Sequence, residues 1–354
     1  MDKKRFFTET LLNWNKDQND REMPWKGIKN PYHIWLSEII LQQTRVEQGL
    51  PYYKKFIKHY PTVEDLANAP EDEVMKLWEG LGYYSRARNL HFAAKSIVKE
   101  RDGVFPDTYE EIIKLKGVGT YTAAAVASFA FDLPYAVVDG NVYRVLSRFF
   151  GIEKAIDSTE GKKEFAQLAQ ELIDEEKAAQ YNQAIMDFGA KHCTPAKPMC
   201  MFCKFQSACT AFLEGKTSIL PKKSKKITKK QRFFYYLVLK KDKSLYLTKR
   251  IEKGIWQNLY DFPLIEVKNS INEKELTENI DKHLKHSYFS IKNISQEYHQ
   301  ILTHQKIQLV FVEIELKKNK KDDTLNWKKV SIKELSNYAF PRAIQRYLKD
   351  NSLI

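Results

Sequence analysis

The chain has 354 residues, a formal charge of +13, 43% hydrophobic residues and 29% charged residues. At roughly 150 residues per domain this is enough for about two buried cores, and such a composition excludes collagen, wholesale disorder and low-complexity fibres. No run reaches the ~18 apolar residues of a membrane span, and the N-terminal MDKKRFFTETLLNWNKDQND has no apolar stretch of the secretory-signal kind, so a cytoplasmic protein with no membrane partner is expected.

Residues 1–215 read as helical. From Tyr32 to Gly49, Ile34, Trp35, Ile39, Leu41 and Val46 recur at helical spacing. Thr62 precedes a helix through Leu66, and Pro70 with Glu71, Asp72 and Glu73 opens another, its acids placed where the helix dipole favours them. Asp107 and Thr108 introduce Tyr109–Leu115, with Thr108 and Glu111 at capping-box spacing. Gly117-Val118-Gly119 breaks the chain before an Ala-rich helix from Thr120 to Phe131, and Asp139-Gly140-Asn141 starts a helix through Phe150.

Between Lys216 and Arg232 lie eight basic residues and no acid. Such a segment repels itself, extends, and attracts polyanions; it reads as a linker over 216–232. Beyond it the period changes. Phe233–Leu239, Ser244–Arg250 and Leu309–Leu316 are strand-like, whereas Glu273–Leu284 and Arg342–Leu348 are helical. The expectation is a helical domain over 1–215, then a smaller α+β domain over 233–354.

The four cysteines, Cys193, Cys200, Cys203 and Cys209, are spaced C-x6-C-x2-C-x5-C. They are too local for a disulfide framework and suit one soft metal centre in a reducing compartment. Structural zinc and an iron–sulfur cluster are both candidates, and the x6 and x5 arms suit the wider body. In LKGVGTYTAAAV, Gly117 and Gly119 permit a tight turn and close approach of backbone amides to a phosphate. Asp139 stands at a helix start, where terminal amides keep a carboxylate ionised to face a developing cation. Glu38 sits mid-helix with Ile34, Trp35 and Leu41 around it; desolvation there raises a carboxyl pKa toward that of a general acid.

The cysteine spacing, downstream of a helix–hairpin–helix at Leu115–Val126, resembles the endonuclease III superfamily of DNA glycosylases. The segments PWK, WLSEIILQQTRVE, WEGLGYYSRARNL, GVGTYTAA, VVDGNVYRVLSR and YNQAIMDFGAKHC resemble the adenine DNA glycosylase (MutY) branch. The resemblance covers essentially the whole first domain and, more loosely, the second. It implies an all-α helix–hairpin–helix domain with one four-iron, four-sulfur cluster on Cys193, Cys200, Cys203 and Cys209. It also implies a monomer acting on duplex DNA that holds adenine opposite 8-oxoguanine or guanine. In that chemistry Glu38 protonates the adenine and later activates water. Asp139 stabilises the oxocarbenium-like sugar, and Tyr121 and Asn141 support it. The base is flipped out of the stack, and Gln43 and Tyr83 fill the helix beside the mismatch.

Two other readings compete. A bifunctional pyrimidine glycosylase needs an amine nucleophile two residues after the second hairpin glycine, where this chain has Tyr121, a phenol that cannot form a Schiff base. A non-enzymatic cluster protein has no need of Glu38 and Asp139 together. Some members of the branch carry a lysine two residues after the D-G-N asparagine; here Tyr143 stands there, so trapping of the product is not expected. Residues 233–354 resemble the family's MutT-like domain but lack the R-E-x-x-E-E box in INEKELTENIDKHLKH, so the domain is expected to bind without hydrolysing. Thr303 and His304 stand where the family reads 8-oxoguanine.

Overall fold

The computed structural model of the chain describes residues 2–224, 228–284, 289–316 and 327–354. It divides into two compact units, Met1–Asn68 with Asn89–Lys226, and Ala69–Arg88 with Ile227–Ile354. The helices in chain order are α1 (Lys3–Gln18), α2 (Pro31–Leu41), α3 (Val46–His59), α4 (Val63–Asn68), α5 (Glu71–Leu77), α6 (Ser85–Arg101), α7 (Tyr109–Ile112), α8 (Thr120–Phe131), α9 (Gly140–Phe150), α10 (Thr159–Leu172), α11 (Ala178–Lys191) and α12 (Thr210–Leu213). None among the described residues is long and apolar enough to cross a membrane.

The helices start where local chemistry starts them. Asn30 caps α2, accepting from the His33 amide at 3.2 Å with Pro31 in the first turn, and Ser158 caps α10, accepting from the Gly161 amide at 2.9 Å. Two expectations are corrected. The helical pattern from Tyr32 to Gly49 is not one helix: the chain leaves α2 at Gln42, passes Gln43 in the left-handed region at φ +55°, and resumes at Val46. Thr108 is the N-cap of α7, but its side chain accepts no bond from the helix amides, so the capping box is incomplete; Glu111 also pairs with Arg101 at 3.1 Å. The core of this unit gathers Phe7, Leu11 and Trp14 of α1, Val145 and Phe149 of α9, Phe165 of α10, Tyr181, Ile185 and Phe188 of α11, and Phe205. Burying each such side chain contributes about 1.5–3 kcal/mol.

The second unit is built on a mixed sheet: β1 (Lys230–Lys241), β2 (Ser244–Lys249), β3 (Tyr260–Asp261), β4 (Leu264–Val267), β5 (Phe289–Ile294), β6 (Tyr298–Ile301), β7 (Gln305–Leu316) and β8 (Lys328–Ser331). Its central pair, β1 and β7, is parallel over Lys230–Lys240, and the remaining pairings are antiparallel. Helix α13 (Glu273–His283) starts from a complete capping box of Asn272 and Glu275 and buries Leu276 and Ile280; α14 (Arg342–Asp350) buries Ile344, Tyr347 and Leu348. The segment 69–88 belongs to this unit, with Asp72 accepting from the Tyr260 hydroxyl at 2.8 Å and Glu79 from the Phe340 amide at 2.8 Å.

Candidate active site

In the first unit, α2 carries Glu38 in a stretch buried on every side, Ile34 through Ile40. Glu38 is 7% exposed, and burial pushes its carboxyl pKa up to about 7. The hydroxyl of Tyr121 on α8, hydrogen-bonded to it, pulls the value down in part; the neighbouring Asp139 carboxylate pushes it up. The same hydroxyl oxygen lies 3.4 Å from Sδ of Met186 on α11.

Asp139 caps α9. One oxygen accepts from the amides of Asn141 and Val142, both at 2.8 Å, and the other from Asn141 Nδ2 at 2.7 Å. Burial raises its pKa, while these donors and the nearby Arg144 act in the opposite direction. Both oxygens accept, which is the arrangement of an ionised carboxylate. Arg144 fixes the next layer: it donates to Asn141 Oδ1 at 2.9 Å and to the backbone oxygens of Gly140 at 3.1 Å, Gly189 at 2.5 Å and Cys193 at 2.6 Å. Asn182 of α11, fully buried, accepts from the Val137 amide at 3.1 Å and donates to the Tyr135 oxygen at 2.8 Å, clamping the connection that leads to Asp139.

Glu38 borders a cavity of about 240 Å³ walled by Trp25, Lys26, Ile28 and Lys29 on one side and Gln180 and Gln183 of α11 on another. The hairpin lies before α8. Gly117 has φ +83°, and a Cβ there would meet the Asn89 Cβ at 2.6 Å, so glycine is demanded twice over. Gly119 is different: φ is −103°, a Cβ would meet nothing within 4 Å, and no side chain caps α8. The protein's own packing does not require that glycine; an open backbone is what a phosphate needs.

The four cysteines are unpaired and half-buried and border one cavity of about 30 Å³ with His192, Phe188 and Arg148. Arg148 donates to Cys193 Sγ at 3.4 Å and to the Thr194 and Pro195 oxygens at 2.8 and 3.0 Å. Burial pushes the Cys203 thiol up to about 11 and raises Cys209 as well. Among the described residues no three Cys, His, Asp or Glu side chains form a group able to hold a single metal ion. Four soft donors around one space, with a guanidinium beside one of them, fit a thiolate-ligated cluster.

In the second unit Tyr83 has φ +46°, is half exposed, and its hydroxyl is 2.7 Å from Thr303 Oγ1. Arg86 lies 5.7 Å from the Tyr83 ring centroid and 5.0 Å from that of Trp78. Thr303 and His304 form the tip between β6 and β7, closed by the Leu302 amide donating to the Gln305 oxygen at 2.8 Å. The structure thus brings Glu38, Tyr121, Asp139 and Asn141 together in one unit and Tyr83 with Thr303 in the other. Gln43 is the strained residue after α2, and its neighbour Gln42 donates to Thr122 Oγ1 at 3.1 Å. Sequence reasoning missed Arg144, Asn182, Met186 and Asp187 as individual residues. Their signal was the i, i+4 spacing of Asn182 and Met186 and the polar residues in an otherwise buried helix.

Residues 36–175 match the HhH-GPD superfamily of base excision DNA repair proteins, and residues 234–350 match a NUDIX domain. Among solved structures, a thermostable thymine-DNA glycosylase aligns at 32% identity with a TM-score of 0.56, covering 60% of this chain and 97% of its own. An endonuclease III–DNA complex at 23% identity and TM-score 0.52 shares the fold. Fold and site therefore define a helix–hairpin–helix base excision repair glycosylase with an appended Nudix-like domain. An adenine DNA glycosylase of Buchnera aphidicola subsp. Acyrthosiphon pisum is 32% identical over 351 residues, 98% of each chain. A mouse adenine DNA glycosylase is 42% identical over 227 residues, 61% of this chain and 44% of its own. The chain belongs to the adenine DNA glycosylase family.

Proposed function

We propose that the protein, as a monomer, removes adenine paired with 8-oxoguanine or guanine from duplex DNA by hydrolysing the N-glycosidic bond, without strand cleavage. The observation that carries this is a buried carboxyl group poised near pKa 7 at a cavity, with a second, fully hydrogen-bonded carboxylate beside it. The flipped base enters the cavity and Glu38 protonates a ring nitrogen, making adenine a competent leaving group. The sugar left behind resembles an oxocarbenium ion. Asp139, held by Asn141 and the head of α9, offsets that charge electrostatically or through a transient bond. Glu38, now ionised, takes a proton from the attacking water. Tyr121 holds Glu38 in place.

Supporting roles follow the same chemistry. Gly117 and Gly119 shape the hairpin that receives a phosphate, and Gln43 and Tyr83, both in left-handed backbone, enter the helix beside the flipped nucleotide. Cys193, Cys200, Cys203 and Cys209 would hold one four-iron, four-sulfur cluster, which when bound cross-links the loop and positions its lysines toward DNA. Thr303 and His304 read the lesion. The test is a duplex with A opposite 8-oxoguanine, with thymine opposite guanine and a damaged pyrimidine as parallel substrates. Cleavage of the adenine strand only after alkali supports the proposal. Release of thymine but not adenine, or direct nicking, overturns it.

A further inference from the structure

Asp187 of α11 is fully buried, one helical turn beyond Gln183 on the cavity wall. One of its oxygens accepts from Arg21 Nη1 at 2.8 Å. The other accepts from Asn19 Nδ2 at 2.9 Å and Lys26 Nζ at 3.2 Å. All three donors lie in the connection between α1 and α2, which has little backbone bonding of its own beyond the Lys26 amide to the Met23 oxygen at 2.9 Å. Lys26 Nζ reaches back to the Arg21 oxygen at 2.9 Å, Asn19 Nδ2 to Asn15 Oδ1 at 2.7 Å, and Lys191 of α11 pairs with Asp20. This connection forms one wall of the cavity through Trp25, Lys26, Gly27, Ile28 and Lys29, while α11 forms another.

We propose that Asp187 is a positioning residue that clamps the 19–27 segment to α11, fixing the base cavity and keeping the Lys26 and Arg21 charges turned away from a base that must gain a proton. The inference rests on the adenine-excision reading and deepens it. Two cations share one buried carboxylate, so the balance is delicate: without it, the Lys26 ammonium is free to turn into the cavity it already borders. A cation there opposes protonation of the base and stabilises the ionised form of Glu38. Among the described residues, the other charged or titratable groups around Glu38 and its cavity are Tyr121 on α8, Asp139 at the head of α9 with Arg144 beside it, and Lys29 in the cavity lining. Lys29 is already paired with Asp132 at 2.6 Å.

The experiment uses the full chain as wild type, Asp187→Asn, Lys26→Gln, Arg21→Gln and the Asp187→Asn/Lys26→Gln pair. Asp187→Asn should slow single-turnover adenine release by about tenfold to a hundredfold, the scale of ångström-level misplacement. Its alkaline limb should move to lower pH by roughly one unit, as an added neighbouring cation would. Adding Lys26→Gln should restore the limb. Trypsin, which cuts after Arg21 and Lys26, should cleave Asp187→Asn faster than wild type; this readout needs no substrate, so the clamp is judged even if the wild type releases no adenine, a result that overturns the catalytic reading alone. If Asp187→Asn does not fold, Arg21→Gln must still slow excision with its limb unmoved. Wild-type rate, limb and trypsin resistance in Asp187→Asn, or in Arg21→Gln a wild-type rate, would overturn the proposal.

Discussion

For a carboxyl group in a helix stretch buried on every side, ionisation costs the hydration it gives up, and Glu38 shows that cost as a pKa near 7 in place of 4.5. The sign of the consequence is fixed. In the proposed reaction Glu38 must start protonated, so single-turnover excision should be high below about pH 7 and fall as pH rises through that value. A rate that instead rises through neutrality would show that the carboxylate, not the acid, limits the reaction. Stability moves the same way. The raised folded pKa means that stability is fully present below the unfolded value of 4.5 and is lost as pH climbs toward about 7. Glu38→Gln removes the ionisation while keeping the shape. It should abolish excision at every pH, leave mismatch binding intact, and stabilise the protein at pH 8 by at most about 3 kcal/mol, with no gain at pH 4. Equal denaturation midpoints for the two proteins at pH 8 would mean that Glu38 is hydrated and its pKa unshifted.

One helix, α11, supports almost every part of the site. Asn182 holds the approach to Asp139, Met186 Sδ packs at 3.4 Å from the Tyr121 hydroxyl, Asp187 holds the cavity wall, and the Gly189 oxygen receives Arg144. Gly189 matters for a second reason: a Cβ there would stand 2.7 Å from the Asn141 Cβ and 3.1 Å from its oxygen. Gly189→Ala should push the head of α9 away, misdirect Asp139, and reduce excision by about a hundredfold with DNA affinity little changed; a wild-type rate would show that α9 adjusts without moving its carboxylate. Two neighbouring helices of the site, unlike the contacts of α11, were legible in advance. The Ala-rich α8 and the Asp139-capped α9 are found at their expected bounds, because a glycine break or an N-cap carboxylate determines a helix start locally. The split between α2 and α3 was not legible, since apolar spacing continues through it and only the left-handed Gln43 marks it. The long-range part of the charge network was also hidden: the partners of Asp187 lie 161 to 168 positions away, and the Gly189 and Cys193 oxygens that receive Arg144 lie 45 and 49 positions away, beyond any local pattern.

At the scale of the whole molecule, the basic run and the proposed lesion-reading tip are different segments and are tested separately. Of the eight basic residues between Lys216 and Arg232, Lys216 and Lys222 are paired with Glu153, and Arg232 with Glu266; Lys225 and Lys226 lie outside the described residues. Lys223 and Lys229 are exposed. Replacing both by Gln should flatten the salt dependence of duplex binding by about 0.9 for each phosphate no longer neutralised; an unaltered slope would leave the run as a spacer. The side chains proposed to read the lesion stand elsewhere, at the tip between β6 and β7, where the Thr303 hydroxyl meets Tyr83 at 2.7 Å. A hydroxyl so engaged still has a lone pair free. 8-Oxoguanine presents an N7–H donor where guanine presents only an acceptor. One such hydrogen bond is worth roughly 0.5–1.5 kcal/mol, up to about tenfold. The Thr303→Ala/His304→Ala variant should therefore lose up to that factor in preference for adenine opposite 8-oxoguanine over adenine opposite guanine. Single-turnover excision from the guanine pair should be little changed, because Glu38 and the carboxylate at the head of α9 are untouched. Slowing of both substrates by the same factor would place lesion reading elsewhere in the chain and leave the β6–β7 tip a general anchor on the DNA backbone.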